Sequence, residues 1–236
     1  MRGMWFVFCR ELRSYLYSPL AYVVLAVFLA IGGYLFSVVL LATRLADLGA
    51  YFSNMGLILM FLVPILTMRL WAEEEQRGTA EFLLTAPVTV GQVLVGKYLA
   101  AAAIFLIGLG CTLLYALILA RSGQPDWGAI WGGYLGFLLL GLAYLAVGLF
   151  ASALTGSQMV AGLLGFGLLL GFWIIGWLAQ ALGGRVGEVA QFVTAVGHYE
   201  DFLKGVVDTQ HLLYFGSFIG AFLLLAAECL KARHGS

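Results

Sequence analysis

The chain has 236 residues, of which 63% are hydrophobic and 10% charged, and its 12 basic side chains balance 12 acidic ones. That leaves too little polar surface for a water-soluble fold of this size, so the chain belongs in a bilayer. With no net charge and no basic run, it offers a nucleic acid none of the phosphate contacts that binding needs, which excludes that class of partner.

At the start, Trp5, Phe6, Phe8, Cys9, Leu12, Tyr15 and Leu16 recur at helical spacing, while Arg2, Arg10, Glu11, Arg13 and Ser14 fall mostly on other faces. This pattern predicts an interfacial helix over 1–18 lying along the lipid headgroups. Ser18 and Pro19 then turn the chain into the membrane. Charged residues followed by so long an apolar run argue against a cleavable signal.

A crossing helix needs about 20 apolar residues. Uncharged stretches supply this over about 19–41, 48–68, 97–120, 127–151, 158–181 and 209–228. The expected fold class is an all-α membrane protein with six transmembrane helices and both ends on one side. Pro64 marks a kink in the second span. Trp5, Trp71, Trp127 and Trp131 fall near span ends, as interfacial rings do, and the 31 glycines read as close helix packing. On the side of the N-terminus lie Arg2, Arg10, Arg13, Arg69, Arg77, Lys97, Lys231 and Arg233, against Arg44, Arg121, Arg185 and Lys204 opposite. That asymmetry places both ends in the cytoplasm.

Between the second and third spans, 69–96 forms the one sizeable polar feature. It runs through an acidic turn (Glu73, Glu74, Glu75), a Gly78-Thr79 break, a short apolar helix and Pro87, then a helix restart. Thr89 to Gln92 and Thr155 to Gln158 both fit the S/T-x-x-E/Q capping box and predict helix starts. After the fifth span, 182–208 is apolar but spotted with charge. Val189, Phe192, Val193 and Val196, then Phe202, Leu203, Val206 and Val207, suggest two short helices dipping into the outer leaflet.

Catalytic chemistry is missing from this pattern. Gly91 to Lys97 satisfies G-x-x-x-x-G-K, but Tyr98 stands where a P-loop needs Ser or Thr for magnesium. The segment therefore reads as the first turns of the third span, and the chain does not hydrolyse ATP by itself. No ionisable residue falls at mid-span, where ion-driven transporters place theirs. His211 and Glu228 sit near the ends of the last span as surface groups. His198, Tyr199, Glu200 and Asp201 are adjacent and point apart, so they read as a solvated outer loop and not as a metal site. Cys9, Cys111 and Cys229 read as buried small hydrophobes. No catalytic, cofactor or metal site emerges.

Four blocks carry a resemblance: ELRSYLYSPLAYVV, MRLWAEEEQRGTAEFLLTAPVTVGQVLVGKYLAA, SALTGSQMVAG and HYEDFLKGVVDTQHLLYF. Together they resemble ABC-2 type ABC transporter permeases, with the gliding-motility-type subfamily nearest, over almost the whole chain. The resemblance implies a permease subunit, exporting its cargo, that pairs with a second permease copy or a related one and with separate ABC ATPase subunits. ATP and magnesium would reside in that ATPase, and an accessory subunit in the membrane or periplasm could join. It implies an elbow helix at 1–18 and a coupling helix in 69–96. The coupling residues would be Glu73, Glu74, Gly78, Thr79, Glu81, Phe82, Leu83, Leu84, Thr85 and Pro87, with a second contact at Thr155, Ser157 and Gln158. Phe82 stands where leucine is common. The other reading is a membrane scaffold that transmits ATPase motion without transport. A cavity where the second and fifth spans meet a partner would favour transport over it.

Overall fold

The computed structural model describes residues 2–43, 48–80, 88–122, 125–182 and 194–234. Among them are nine helices and no strand. They are α1 (Arg2–Tyr17), α2 (Pro19–Thr43), α3 (Gly49–Thr67), α4 (Ala72–Gln76), α5 (Val90–Ser122), α6 (Trp127–Ala153), α7 (Gln158–Leu182), α8 (Ala195–Leu203) and α9 (Thr209–His234). Six segments are long and apolar enough to cross a membrane, Pro19–Leu41, Gly49–Gln76, Val90–Arg121, Trp127–Ala153, Gln158–Leu178 and Thr209–Arg233. Their number is the expected six.

Helix starts follow local chemistry. Pro19 opens α2, where its missing N–H costs nothing. At the head of α5 the expected capping box forms, with Gln92 N–H donating to Thr89 Oγ1 and Thr89 N–H to Gln92 Oε1, each at 3.3 Å. The Asp126 carboxylate accepts from Gly128 N at 2.9 Å and so opens α6. The second expected box does not form. Thr155 Oγ1 accepts from Ser157 N at 3.2 Å, two residues on, and the Gln158 amide donates to Gln76 at 3.2 Å. A tertiary partner has taken the side chain that local capping would have used.

α6 is the hub, packed by α3, α5, α7, α8 and α9. α3 and α6 are mostly buried, whereas α2, α7 and α9 form the rim with largely exposed apolar faces. In a bilayer that exposed surface meets lipid. Close approach to α6 explains several of its own glycines. A β-carbon at Gly148 would lie 2.1 Å from Thr67 Oγ1, at Gly141 2.3 Å from Phe105, and at Gly136 2.5 Å from Phe202. Small residues there let neighbours press on the helix backbone.

Several expectations change. Trp71 lies at the turn after α3 but does not face outward: its side chain is fully buried in the protein. Cys9 and Cys111 are exposed and Cys229 is half-buried, so none is a core hydrophobe. α5 begins at Val90, which puts Lys97 two turns inside it. Between the last two spans one helix, α8, is described; it holds Val196, Phe202 and Leu203, whereas Val206 and Val207 follow it outside any helix, and 183–193 lies outside the described residues.

Candidate functional site

The polar residues of 69–80 gather at the end of the bundle that also holds α1 and the last turns of α9. Thr67 ends α3, Met68 to Trp71 make a turn, and α4 carries the three glutamates. Ser152, fully buried near the end of α6, holds this turn. Its hydroxyl oxygen accepts from Trp71 N and Ala72 N, both at 3.0 Å, and its proton goes to Met68 O at 3.2 Å. Gly78, at φ 69°, breaks the chain after α4. That left-handed conformation strains a residue with a β-carbon, so glycine is favoured there. Thr79 then closes the turn, donating its N–H to Glu74 O at 2.9 Å.

Each glutamate of α4 is engaged inside the chain. Glu73 lies 2.7 Å from Arg69 Nε and 2.6 Å from Arg77 Nη2. Glu75 accepts from Trp71 Nε1 at 3.0 Å and pairs with Arg233 at 2.9 Å. Arg233 also donates to Ala153 O at 3.0 Å, tying α9 to the α6–α7 corner. Glu74 joins the most buried cluster: its Oε1 is 2.7 Å from Arg10 and 3.1 Å from Lys97. Lys97 and Arg10 both reach Glu11 as well, at 3.1 and 2.8 Å. Two cations and two anions thus close a ring across α1, α4 and α5.

Lys97 is only 1% exposed, and burying an ammonium is tolerable only with partners of this kind. Burial pushes the Glu11 carboxyl up, but Lys97 and Arg10 outweigh it and hold the group below its ordinary 4.5. Burial likewise opposes the charge on Arg10, and Glu11 and Glu74 outweigh it, raising that group. Two further bonds fix α1. Arg69 donates to the Ser18 hydroxyl, and Tyr15, whose phenol burial pushes up, donates to Leu66 O at 2.9 Å.

The structure therefore brings Glu73, Glu74, Gly78 and Thr79 together with Gln158 and, beside it, Thr155 and Ser157. The carboxylates face inward, while Gln76, Arg77, Gly78 and Thr79 form the exposed surface. Glu81, Phe82, Leu83, Leu84, Thr85 and Pro87 lie outside the described residues. Sequence reading missed Arg10, Glu11, Lys97, Ser152 and Arg233 as parts of this site. Their partners are far away in sequence, and only the apolar surroundings of Ser152 hinted at a buried hydroxyl.

At the opposite end, the expected solvated loop is instead the packed helix α8, with His198 and Tyr199 buried. His198 Nδ1 lies 2.7 Å from His211 Nδ1, so one ring donates to the other, and His211 Nε2 is 3.4 Å from Asp201. His211 is thus an internal partner and not a surface group, whereas Glu228 is exposed and pairs with Lys231 at 2.7 Å. Among the described residues no group of three or more candidate ligands could hold a metal ion.

Six apolar helices around a buried centre, with polar clusters confined to the two ends, define a multi-pass membrane protein. A family model described as ABC-2 family transporter protein matches residues 11–204, and the chain belongs to that family as a transmembrane permease subunit. No curated protein matches it.

Proposed function

We propose that this chain is the membrane half of an ABC exporter of the gliding-motility type, driven by separate ATPase subunits that hold the ATP and magnesium. In this reading the end bearing α1, α4 and the tail of α9 faces the cytoplasm of a bacterium, and the protein sits in the inner membrane. α1 is the elbow helix. The ATPase docks on Gln76, Arg77, Gly78 and Thr79, on the following Glu81 to Pro87 segment, and on Thr155, Ser157 and Gln158. A second copy or a related permease completes the pathway, and an accessory subunit can join it.

One observation carries this reading. The exposed turn after α4 is wired through Glu74 to α1 and α5, through Glu75 to α9, and through Ser152 to α6. A push on that turn is therefore delivered to four elements at once. The internal carboxylates position the docking surface instead of touching the partner. Orientation is tested by single-cysteine labelling in a background lacking Cys9, Cys111 and Cys229. Cysteines at Gln76 should react only after permeabilisation, and those at Asp126 from outside. Outside reactivity at Gln76 would remove the turn from the ATPase side.

A further inference from the structure

His198 and His211 meet at the end of the bundle away from α4, and their contact limits how many protons they can hold. Their Nδ1 atoms are 2.7 Å apart, so one Nδ1 carries a hydrogen and the other offers its lone pair. With both rings neutral, or with one proton added, a single hydrogen still lies between the two nitrogens. With both rings protonated, two N–H groups point at each other and the bond is gone. The contact therefore exists with at most one added proton on the pair. Free imidazoles each take one at about pH 6.5.

Among the described residues little offsets a second charge. His198 is 5% exposed and its ring stacks on Tyr214 at 4.0 Å. Asp201, 3.4 Å from His211 Nε2, can balance one imidazolium, but it also pairs with Lys204 at 3.1 Å. α8 packs on α3, α6, α7 and α9, and α9 on α5 and α6; α3, α6 and α7 carry no charged residue. At this end α5 brings the exposed Arg121, another cation. Asp126 and Asp208 accept from backbone N–H groups at the starts of α6 and α9, and Glu200 lines the space between α3, α6 and α7. The tyrosines here, Tyr134, Tyr144, Tyr199 and Tyr214, stay neutral in acid. The two seams of α8 also differ. On α6, Phe202 presses on the helix backbone, so that a β-carbon at Gly132 would lie 2.7 Å from its carbonyl oxygen. On α9 the histidine bond is joined by the looser approach of Phe202 to Phe215, ring centres 6.3 Å apart.

We propose that the His198–His211 pair is an acid-opened clasp between α8 and α9, closed while the rings hold at most one added proton and released when both are charged. Unfolded chain takes up both protons and the closed clasp only one, so the closed form loses stability as pH falls. Release frees the first turns of α9 and leaves α8 seated on α6. The inference uses this end of the bundle alone and does not depend on the coupling reading, so either can fail without the other.

The test uses the full chain in nanodiscs, with its histidines labelled with nitrogen-15. The chain has three histidines, so His234→Gln leaves only the pair and assigns its signals. At about pH 7.5, solid-state NMR should show a scalar coupling between the two Nδ1 atoms, which arises only through an N–H···N bond. At about pH 5, where carboxylates remain mostly ionised, the coupling should be absent and both rings doubly protonated. Hydrogen exchange over 209–214, corrected for the intrinsic effect of pH, should speed up at least about tenfold between the same two conditions, the worth of one buried hydrogen bond. His198→Phe keeps a ring against Tyr214 but cannot titrate, and His211→Gln removes the other partner. Each should exchange at one rate at both pH values, with the melting temperature confirming the fold, and the coupling in the intact pair needs neither variant. A coupling absent at about pH 7.5 or surviving at about pH 5 would overturn the proposal. So would equal exchange at both pH values in the intact pair, or a pH step of undiminished size in both variants.

Discussion

Lys97→Met removes the ammonium at the centre of the ring that joins α1, α4 and α5 while keeping most of the stem volume. Glu11 and Glu74, only 14% and 15% exposed, then remain with Arg10 alone. Removing one partner of a buried ion pair costs about 3–5 kcal/mol. Arg10 still reaches both carboxylates within 2.8 Å and is itself 44% exposed, so the lower end applies. The expected loss is about 3 kcal/mol, roughly a hundredfold in the folding equilibrium. Glu74 adds to the penalty because its Oε2 is buried with no partner. Adding Glu74→Gln to Lys97→Met should therefore recover about 1 kcal/mol or more by removing the stranded charge. The assay is equilibrium unfolding in mixed micelles, with hydrogen exchange over α1 as a local readout, since α1 should open first. A Lys97→Met variant within about 0.5 kcal/mol of the parent, the range of ordinary surface changes, would refute the picture of a buried, interdependent ring.

Ser152→Ala deletes one hydroxyl that serves Trp71 N, Ala72 N and Met68 O. It should cost about 2 kcal/mol by leaving buried backbone groups unpaired, visible as a lower melting temperature. Acid provides a further check. Because the Glu11 carboxyl is held below its ordinary 4.5, its stabilising contribution is complete above that value and is lost as pH falls through the lower folded-state value. Unfolding free energy measured from pH 6 downward should therefore fall below about pH 4.5, and Glu11→Gln should flatten that slope.

The spans were legible because a bilayer imposes a length and a composition that charges delimit: Arg13, Arg69, Arg121 and Asp126 sit close to helix ends. The Thr89 to Gln92 box was legible because capping is local. Lys97 misled as a boundary marker, since a lysine reads as the end of a span unless its partners are known. Those partners, Glu11 and Glu74, come from helices distant in sequence, and no periodicity announces them. The same blindness hid the contact between His198 and His211 and the burial of Trp71 at the turn after α3. Gln158 shows the converse, a local motif present in sequence and overridden by Gln76. In the candidate site, sequence located the turn, but only the fold showed that its carboxylates point inward and that Gln76 to Thr79 face outward.

The most direct measurement is ATP hydrolysis by the cognate ATPase reconstituted with this chain, comparing the parent with Leu83→Asp and Leu84→Asp. By sequence both residues fall in 69–96, outside the six expected spans, so both variants should insert and melt like the parent. Apolar anchors of this size contribute about 2 kcal/mol each to an interface, enough to weaken assembly some thirtyfold. Co-purification and stimulated hydrolysis should therefore collapse in both variants, while the isolated chain hydrolyses nothing. Full assembly and an unchanged rate in both would show that the segment after α4 does not couple the two proteins.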